Sequence, residues 1–415
     1  MTLPDFITLI FLLVIASYYF LLLYRPKKRE HRDTFAGITI IIPAHNEELL
    51  LADAIESVLA ASFHGRKEVI VVDDGSSDET YRVAQQFSKR GVNAIRTCHL
   101  GKSAAINAAL KLADTELIAI VDADSIIGKN ALRAMAQEVG KRGVAAATGV
   151  VRVRNRKAGI CMWVHIEQLY NSLMRLILAK ANANIATPGP LSMYRKAMLD
   201  EIGGFSTDGF SEDLDVTIRL IRKGHHIGFS QDSIAETVMP SDPKGVLRQR
   251  TRFARGMIHI FKRHLRFGMR AIDMYTLPIF LFTYIQAVIM GSFTLYQIIS
   301  GYMSYFASQG VYFSSGVARF LFEWLSIVGF IRWAAGIFSG TAPLDAIAIA
   351  GILATLLSYP LYFLAIAMFD KKFDLRHAIP LFFMFPFWLL IMAIYILCTP
   401  ELFSNKQYNR WKKNE

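Results

Sequence analysis

From residue 275 to 402 the chain is almost continuously apolar, written in Leu, Ile, Phe and Ala, and a shorter run of the same kind covers residues 3–24. A helix of about twenty such residues spans the hydrocarbon core of a bilayer, so these runs commit part of the chain to membrane helices. Residues 37–270 instead alternate apolar and charged stretches, as a water-soluble domain does. The overall composition, 53% hydrophobic and 19% charged, averages two environments. The expected organisation is a transmembrane helix over 1–24, a cytoplasmic domain over 36–243, amphipathic interface helices over 244–270, a transmembrane region over 274–400 and a polar tail over 401–415.

The formal net charge of +12 raises nucleic acid as a partner. The basic residues collect instead at 25–32 and 244–270, beside the apolar runs, as in membrane proteins. The partner expected is therefore the lipid bilayer and not nucleic acid. Because the basic cluster follows the first run, that run reads as a retained span with the soluble domain on the cytoplasmic side of the cell membrane. Cys98, Cys161 and Cys398 lack metal-ligand spacing and are odd in number, which suits free thiols. Residues 245–270 set Val246, Phe253, Met257, Ile260 and Phe261 on one helical face, apart from Arg248, Arg255, Lys262, Arg263 and Arg266. That pattern fits a helix on the membrane surface, with a basic helix docked only on protein as the alternative.

Apolar segments near 275–300, 316–338, 345–368 and 378–400 are each long enough to cross. Four crossings return Arg410, Lys412 and Lys413 to the cytoplasm and put Lys371 and Lys372 outside. A re-entrant segment carrying Arg319, Glu323 and Arg332 would reverse both placements. Four crossings are the expectation.

Within the soluble part, residues 38–42 read as a buried strand ended by Pro43 and followed by a helical pattern over 47–61. Residues 69–72 are a second strand, leading through Asp73-Asp74-Gly75-Ser76-Ser77 to a helix over 79–90 closed by Gly91. Residues 117–121 form a third, ending in Asp122-Ala123-Asp124, and 144–148 a fourth. Strands alternating with helices imply an α/β fold, an open and mostly parallel sheet with helices on both faces. Ligands in such sheets lie at the carboxyl ends of the strands. His45-Asn46-Glu47, Asp73-Asp74 and Asp122-x-Asp124 all fall there and define one crevice.

Two carboxylates at one strand end suit a hard divalent cation, Mg²⁺ or Mn²⁺, that shares its sites with substrate phosphates. Gly101-Lys102 opens a helix, where free N–H groups and an ammonium favour an anion. The motif lacks the spaced glycine of a Walker loop. Ser211-Glu212-Asp213-Leu214-Asp215 sets several carboxylates at a helix start, any of which suits a general base for a sugar hydroxyl or merely a helix cap. Gln249-Arg250-Thr251-Arg252-Phe253 joins two guanidinium groups to an aromatic ring, fit for a diphosphate and a sugar face or for anionic headgroups.

Together, Pro43-Ala44-His45-Asn46-Glu47, Val72-Asp73-Asp74-Gly75-Ser76, Gly101-Lys102 with Asn107, Asp122-Ala123-Asp124, Gly189-Pro190, Ser211-Glu212-Asp213 and Gln249-Arg250-Thr251-Arg252-Phe253 resemble the family-2 glycosyltransferases. Within them the likeness is to the processive membrane synthases of cellulose, chitin oligosaccharides, hyaluronan and poly-N-acetylglucosamine, and it covers roughly residues 36–270. The resemblance implies a GT-A-like fold in which Pro43, Glu47, Asp73 and Asp74 hold uridine and Lys102 meets the diphosphate. It implies that Asp124, with Asp122, serves the metal, and that Asp213 is the catalytic base beside Glu212. Gln249 and Arg252 would face the diphosphate, and Phe253, with Gly189 and Pro190, the acceptor.

Its partners would be a UDP-sugar donor and a growing glycan, with inversion giving a β-linked product. The stretch Gly189-Pro190-Leu191-Ser192-Met193-Tyr194-Arg195 resembles hyaluronan and chitin-oligosaccharide synthases and favours UDP-N-acetylglucosamine. Phe253 departs from the tryptophan usual in the processive synthases. No gating-loop motif of the cellulose-synthase kind is found, and no cyclic-dinucleotide-binding domain is expected. The alternatives are a non-processive transferase acting on a lipid carrier, a synthase with another donor, and a transporter with Glu323, Arg332 and Asp345 as its intramembrane charges.

Overall fold

Every residue of strand β1, Gly37–Ala44, is buried, as a strand covered by helices on both faces must be, and its sequence is accordingly an unbroken apolar run. The computed structural model describes residues 3–403 apart from 28, 32, 158, 210, 342–345, 371 and 372. Phe210, Asp345, Lys371, Lys372, Arg410, Lys412 and Lys413 therefore lie outside the described residues, and with them the topological argument from the later charges.

Seven more strands join β1: β2 Arg66–Asp74, β3 Val92–Thr97, β4 Leu117–Ile120, β5 Ser125–Ile127, β6 Val144–Val153, β7 Ser192–Arg195 and β8 His226–Thr237. They form one sheet in the order β3-β2-β1-β4-β7-β6-β8-β5. Alternate residues of β1 serve opposite faces. Ile38, Ile40 and Ile42 pack with Leu51, Ile55 and Val71, while Ile41 packs with Ile70, Ile106, Ile118 and Tyr194.

The half around β1 is parallel throughout. The other half is mixed, because β7 runs antiparallel to both β4 and β6, and β5 pairs antiparallel with β8. The expected sheet is thus parallel where helical crossovers return the chain beside β1, and mixed where β7, reached from the helix Cys161–Ala179 through residues 180–191, runs the opposite way between β4 and β6.

The helix expected over 47–61 forms as Leu51–Ala60. The next forms as Thr80–Gln86 with a 3₁₀ turn Ser88–Arg90, closed by Gly91 at φ 84°. The basic stretch is a single helix, Pro243–His264, begun by Asp242, whose side chain accepts the Gly245 N–H at 2.8 Å. Its Ala254, Ile258 and Phe261 are buried against Tyr284, Ile394 and Cys398. This face docks on protein, while Phe267 and Met269 beyond it remain exposed.

Among the described residues, four helices are long and apolar enough to cross a bilayer: Phe6–Leu23, Ile272–Gln309, Ile352–Phe369 and Met384–Leu402. The segment expected to cross near 316–338 is bent by 87° between Ser315–Leu325 and Ile327–Phe338. Ser326 caps the second helix by accepting the Val328 N–H at 3.3 Å. Gly329 permits the bend, since a Cβ there would strike the Glu323 carbonyl. This is the geometry of a broken span or a re-entrant loop. The last segment is also divided, into Leu375–Phe382 and Met384–Cys398. The helix Cys161–Ala179 joins the two halves of the molecule, packing Val164, Leu169 and Leu173 between β6 and Leu361, Tyr362, Ala365 and Ile366.

Candidate active site

At the end of β2 the two aspartates turn inward. Asp74 is 1% exposed and accepts from Thr97 Oγ1 (2.7 Å), the Leu100 N–H (2.9 Å) and the Gly101 N–H (2.7 Å). Asp73 is fully buried, accepts the Ser76 N–H at 3.1 Å and pairs with Arg96 at 2.9 Å. Both carboxylates thus fix the loop that leads into the helix Lys102–Leu110, with Gly101 at φ 94° as its cap. His45 Nδ1–H donates to the Asp74 carbonyl at 2.8 Å, and its ring stacks on His99 at 4.3 Å. Pro43 lies opposite Val72 in the sheet, and the Glu47 N–H donates to Thr80 Oγ1 at 2.8 Å.

Lys102 connects two distant motifs. Its Nζ lies 2.7 Å from Asp122 Oδ1 and 3.1 Å from Glu212 Oε1. The Gly189 carbonyl accepts the Asp122 N–H at 3.1 Å at this junction. A Cβ at Gly189 would strike the Asp122 carboxylate and Lys102 Nζ. Gly189 therefore stands against the Asp122–Lys102 ion pair, a close approach that the absence of a Cβ allows. Asp124 Oδ1 accepts from Ser125 Oγ (3.0 Å) and Thr237 Oγ1 (3.2 Å), which orient it from β5 and β8.

Asp213 sits in the first turn of the helix Glu212–Arg222. Its carbonyl accepts from Thr217 Oγ1 (2.6 Å) and Thr187 Oγ1 (3.3 Å), and Thr187 bonds in turn to Tyr194 OH at 2.7 Å. Burial and then the neighbouring Glu212 charge push the Asp213 carboxyl up to about 7, with Lys102 opposing. Burial is the largest influence on Glu212 and opposes its ionisation, but the Lys102 ammonium, a backbone hydrogen bond and the Arg252 charge together hold that carboxyl below its ordinary value. Lys102 itself is held charged against burial by Asp122 and Glu212. Two adjacent acids are thereby driven apart, one kept ionised and one poised near neutrality, which is how a site divides acid and base roles.

The local charges fit a divalent cation. The charges of Asp122, Glu212 and Asp213 meet that of Lys102, while Asp124 acts on Asp122, Arg252 on Glu212, and Arg175 feels Asp213. Carboxylate oxygens are the donors that hard cations take.

Gln249 donates to Met239 Sδ at 3.4 Å, and Arg252 lies over the Phe253 ring at 5.6 Å. Arg250 is buried in a two-point ion pair with Glu167, one contact of which is 2.6 Å. Beside it lies a cavity of about 260 Å³ walled by Glu167, Phe253, Trp388 and Tyr395. Pro190 has no partner role in this geometry that the structure explains. The sequence reading missed Glu167, Arg175 and Thr187. Glu167 and Arg175 are charged positions eight residues apart on the otherwise apolar face of Cys161–Ala179, a signal available in the sequence.

Residues 36–256 match the family model described as "Glycosyltransferase like family 2". A poly-β-1,6-N-acetyl-D-glucosamine synthase of Staphylococcus epidermidis is 28% identical over 265 residues, 61% of this chain and 63% of that protein. A probable glycosyltransferase, YdaM, of Bacillus subtilis is 29% identical over 250 residues, 58% of this chain and 60% of that one. The chain thus spans about three-fifths of the length of these curated relatives. A mannosyltransferase from Pyrobaculum calidifontis, solved with GDP-mannose and Mn²⁺, shares the fold with a TM-score of 0.60 at 18% identity, covering 97% of this chain and 100% of that one.

Proposed function

The chain belongs to glycosyltransferase family 2, and from that premise we propose that it builds a β-linked polysaccharide processively from a UDP-sugar, with UDP-N-acetylglucosamine as donor, and passes the product across the cell membrane. The observation that carries the reading is the Asp122–Lys102–Glu212 junction with Asp213 beside it. It joins an ammonium, which with a divalent cation on Asp122 and Asp124 would suit a nucleotide diphosphate, to a carboxyl suited to proton abstraction.

In this reading Asp213 accepts the proton of an acceptor hydroxyl as that oxygen attacks the anomeric carbon from the face opposite the leaving UDP, so one bond forms while the glycosidic phosphate bond breaks and configuration inverts. Lys102 and Arg252 balance charge on the departing diphosphate, with Gln249 beside them. A divalent cation, Mg²⁺ or Mn²⁺, held by Asp124 and Asp122 would supply further neutralisation of the leaving group. The Mn²⁺ in the archaeal fold relative supports such an ion.

Pro43, Glu47, Asp73 and Asp74 shape the uridine pocket, the two aspartates by holding its loops. Phe253, Trp388 and Tyr395 offer ring faces to an acceptor sugar. The staphylococcal relative's name supports the donor, and the helices long enough to cross a bilayer support the membrane setting. The test is to supply the purified chain in lipid with Mn²⁺ and one UDP-sugar at a time, measuring UDP release. Release from UDP-N-acetylglucosamine alone is expected, and release only from another donor would overturn the assignment.

A further inference from the structure

Away from the catalytic crevice, an open cavity of about 520 Å³ is lined by Arg154, Asn155, Arg156, Lys157 and Arg376. Among the described residues no carboxylate and no aromatic ring lines it. The carboxylates that pair with its arginines stand behind the wall. Asp53 meets Arg154 at 2.6 Å, Asp374 meets Arg376 at 3.4 Å, and Asp370 meets Arg156 at 2.9 Å with Glu236 at 3.6 Å. The first two pairs are solvent-exposed and weak. Asn155 is held by Met239, through its Nδ2 to the carbonyl (2.7 Å) and its Oδ1 from the N–H (3.0 Å), so the loop presenting these cations is fixed.

The place of this cavity identifies its occupant. Asp370, bound by Arg156, directly follows the membrane-length helix Ile352–Phe369, and Arg152 bonds to the Phe369 carbonyl. The cavity therefore lies level with the end of that helix. On the Arg376 side, Phe373, Leu375 and Ile379 are 56%, 81% and 58% exposed, an apolar rim beside a cationic floor. Guanidinium forks match phosphate oxygens, and basic residues at the end of a span draw anionic headgroups.

We propose that this cavity binds the phosphate of an anionic phospholipid of the cytoplasmic leaflet, its acyl chains lying against Phe373, Leu375 and Ile379. The proposal rests on the reading that the apolar helices lie in a bilayer, but not on the sugar chemistry. Arg154, Lys157 and Arg376 are the residues that select the headgroup, because Arg156 is engaged with Asp370.

The test uses the full chain in nanodiscs of phosphatidylcholine with and without phosphatidylglycerol, followed by delipidation and mass spectrometry of retained lipid. Selective retention of phosphatidylglycerol is expected. The triple variant Arg154→Gln, Lys157→Gln, Arg376→Gln should lose it by roughly fivefold per charge, on the order of 100-fold in all. A control with Lys89, Lys111 and Lys129 changed to glutamine should keep it. Equal retention by the triple variant, or equal retention of both lipids, would overturn the proposal. So would inorganic phosphate displacing the phospholipid at comparable concentration, which would mark a soluble-anion site. Flotation on phosphatidylcholine vesicles separates the premise: a chain that does not float fails the bilayer reading and the lipid site with it, whereas a chain that floats but shows no headgroup selection fails the site alone.

Discussion

Replacing Asp213 with asparagine should cost catalysis and gain stability, and the gain should depend on pH. The native carboxyl is pushed up to about 7 by burial and Glu212, against an ordinary value of 3.8. About three pH units at ~1.4 kcal/mol each make ionised Asp213 a burden on the native state on the order of 4 kcal/mol at about pH 8. The sign follows from proton uptake. Between pH 4 and 7 the native state binds the proton more tightly than the unfolded chain, so wild-type stability falls as pH rises through that window and levels off above it.

Asparagine keeps the shape and removes the titration. The variant should melt higher than wild type at about pH 8, by on the order of 10 °C for a domain of this size, with the gap closing towards about pH 4. Thermal unfolding followed by tryptophan fluorescence in one lipid, across that pH range, measures it. In the same preparations transfer should fall by roughly 100-fold or more while UDP binding stays near wild type, and the wild-type rate should rise with pH through about 7. A gap that does not change with pH, or a variant that retains full activity, would refute the reasoning.

Lys102→Met should leave Asp122 and Glu212 without their shared counter-charge, destabilising the domain by about 3–5 kcal/mol, measurable by chemical denaturation. Gly189→Ala should force Asp122 and Lys102 apart, cutting turnover at least tenfold in a UDP-release assay while the far-ultraviolet circular dichroism stays unchanged. Asp124→Ala should abolish the response of activity and nucleotide affinity to added Mn²⁺, read by isothermal titration with UDP. Arg250→Ala should cost about 3–5 kcal/mol by leaving Glu167 buried and unpaired, whereas Phe253→Ala should weaken acceptor use with little loss in melting temperature.

Much of this was legible in the sequence for a physical reason. Strands β1, β2 and β4 are enclosed on both faces, so apolar runs mark them, and the acidic clusters fall at their ends as α/β geometry demands. Strands β5 and β7 are three and four residues long, too short for any period to show. Strand β8 carries exposed Gln231 and Asp232 where its pairing with β6 slips, which hides it. The motifs mark residues that folding brings together, as Lys102, Asp122 and Glu212 are, but not the direction in which each side chain points. Asp73 and Asp74 stand out in sequence as candidate ligands, and their second part, anchoring the loops around them, shows only in space, where Arg96 and the backbone of Leu100 and Gly101 reach them from the next unit. Lys102 gains its meaning only when folding sets it between Asp122 and Glu212. The bend at Ser326 falls in the segment for which a re-entrant path stood as the alternative to a crossing, and apolar composition could not choose between them because it reports length and not straightness.

The central claim is inverting, repeated transfer from one UDP-sugar, and it is tested most directly by the product itself. The chain in lipid, given radiolabelled UDP-N-acetylglucosamine and Mn²⁺, should yield a long polymer that β-specific hexosaminidases digest and α-specific enzymes leave intact. A single labelled sugar on lipid, or an α-linked product, would contradict the account.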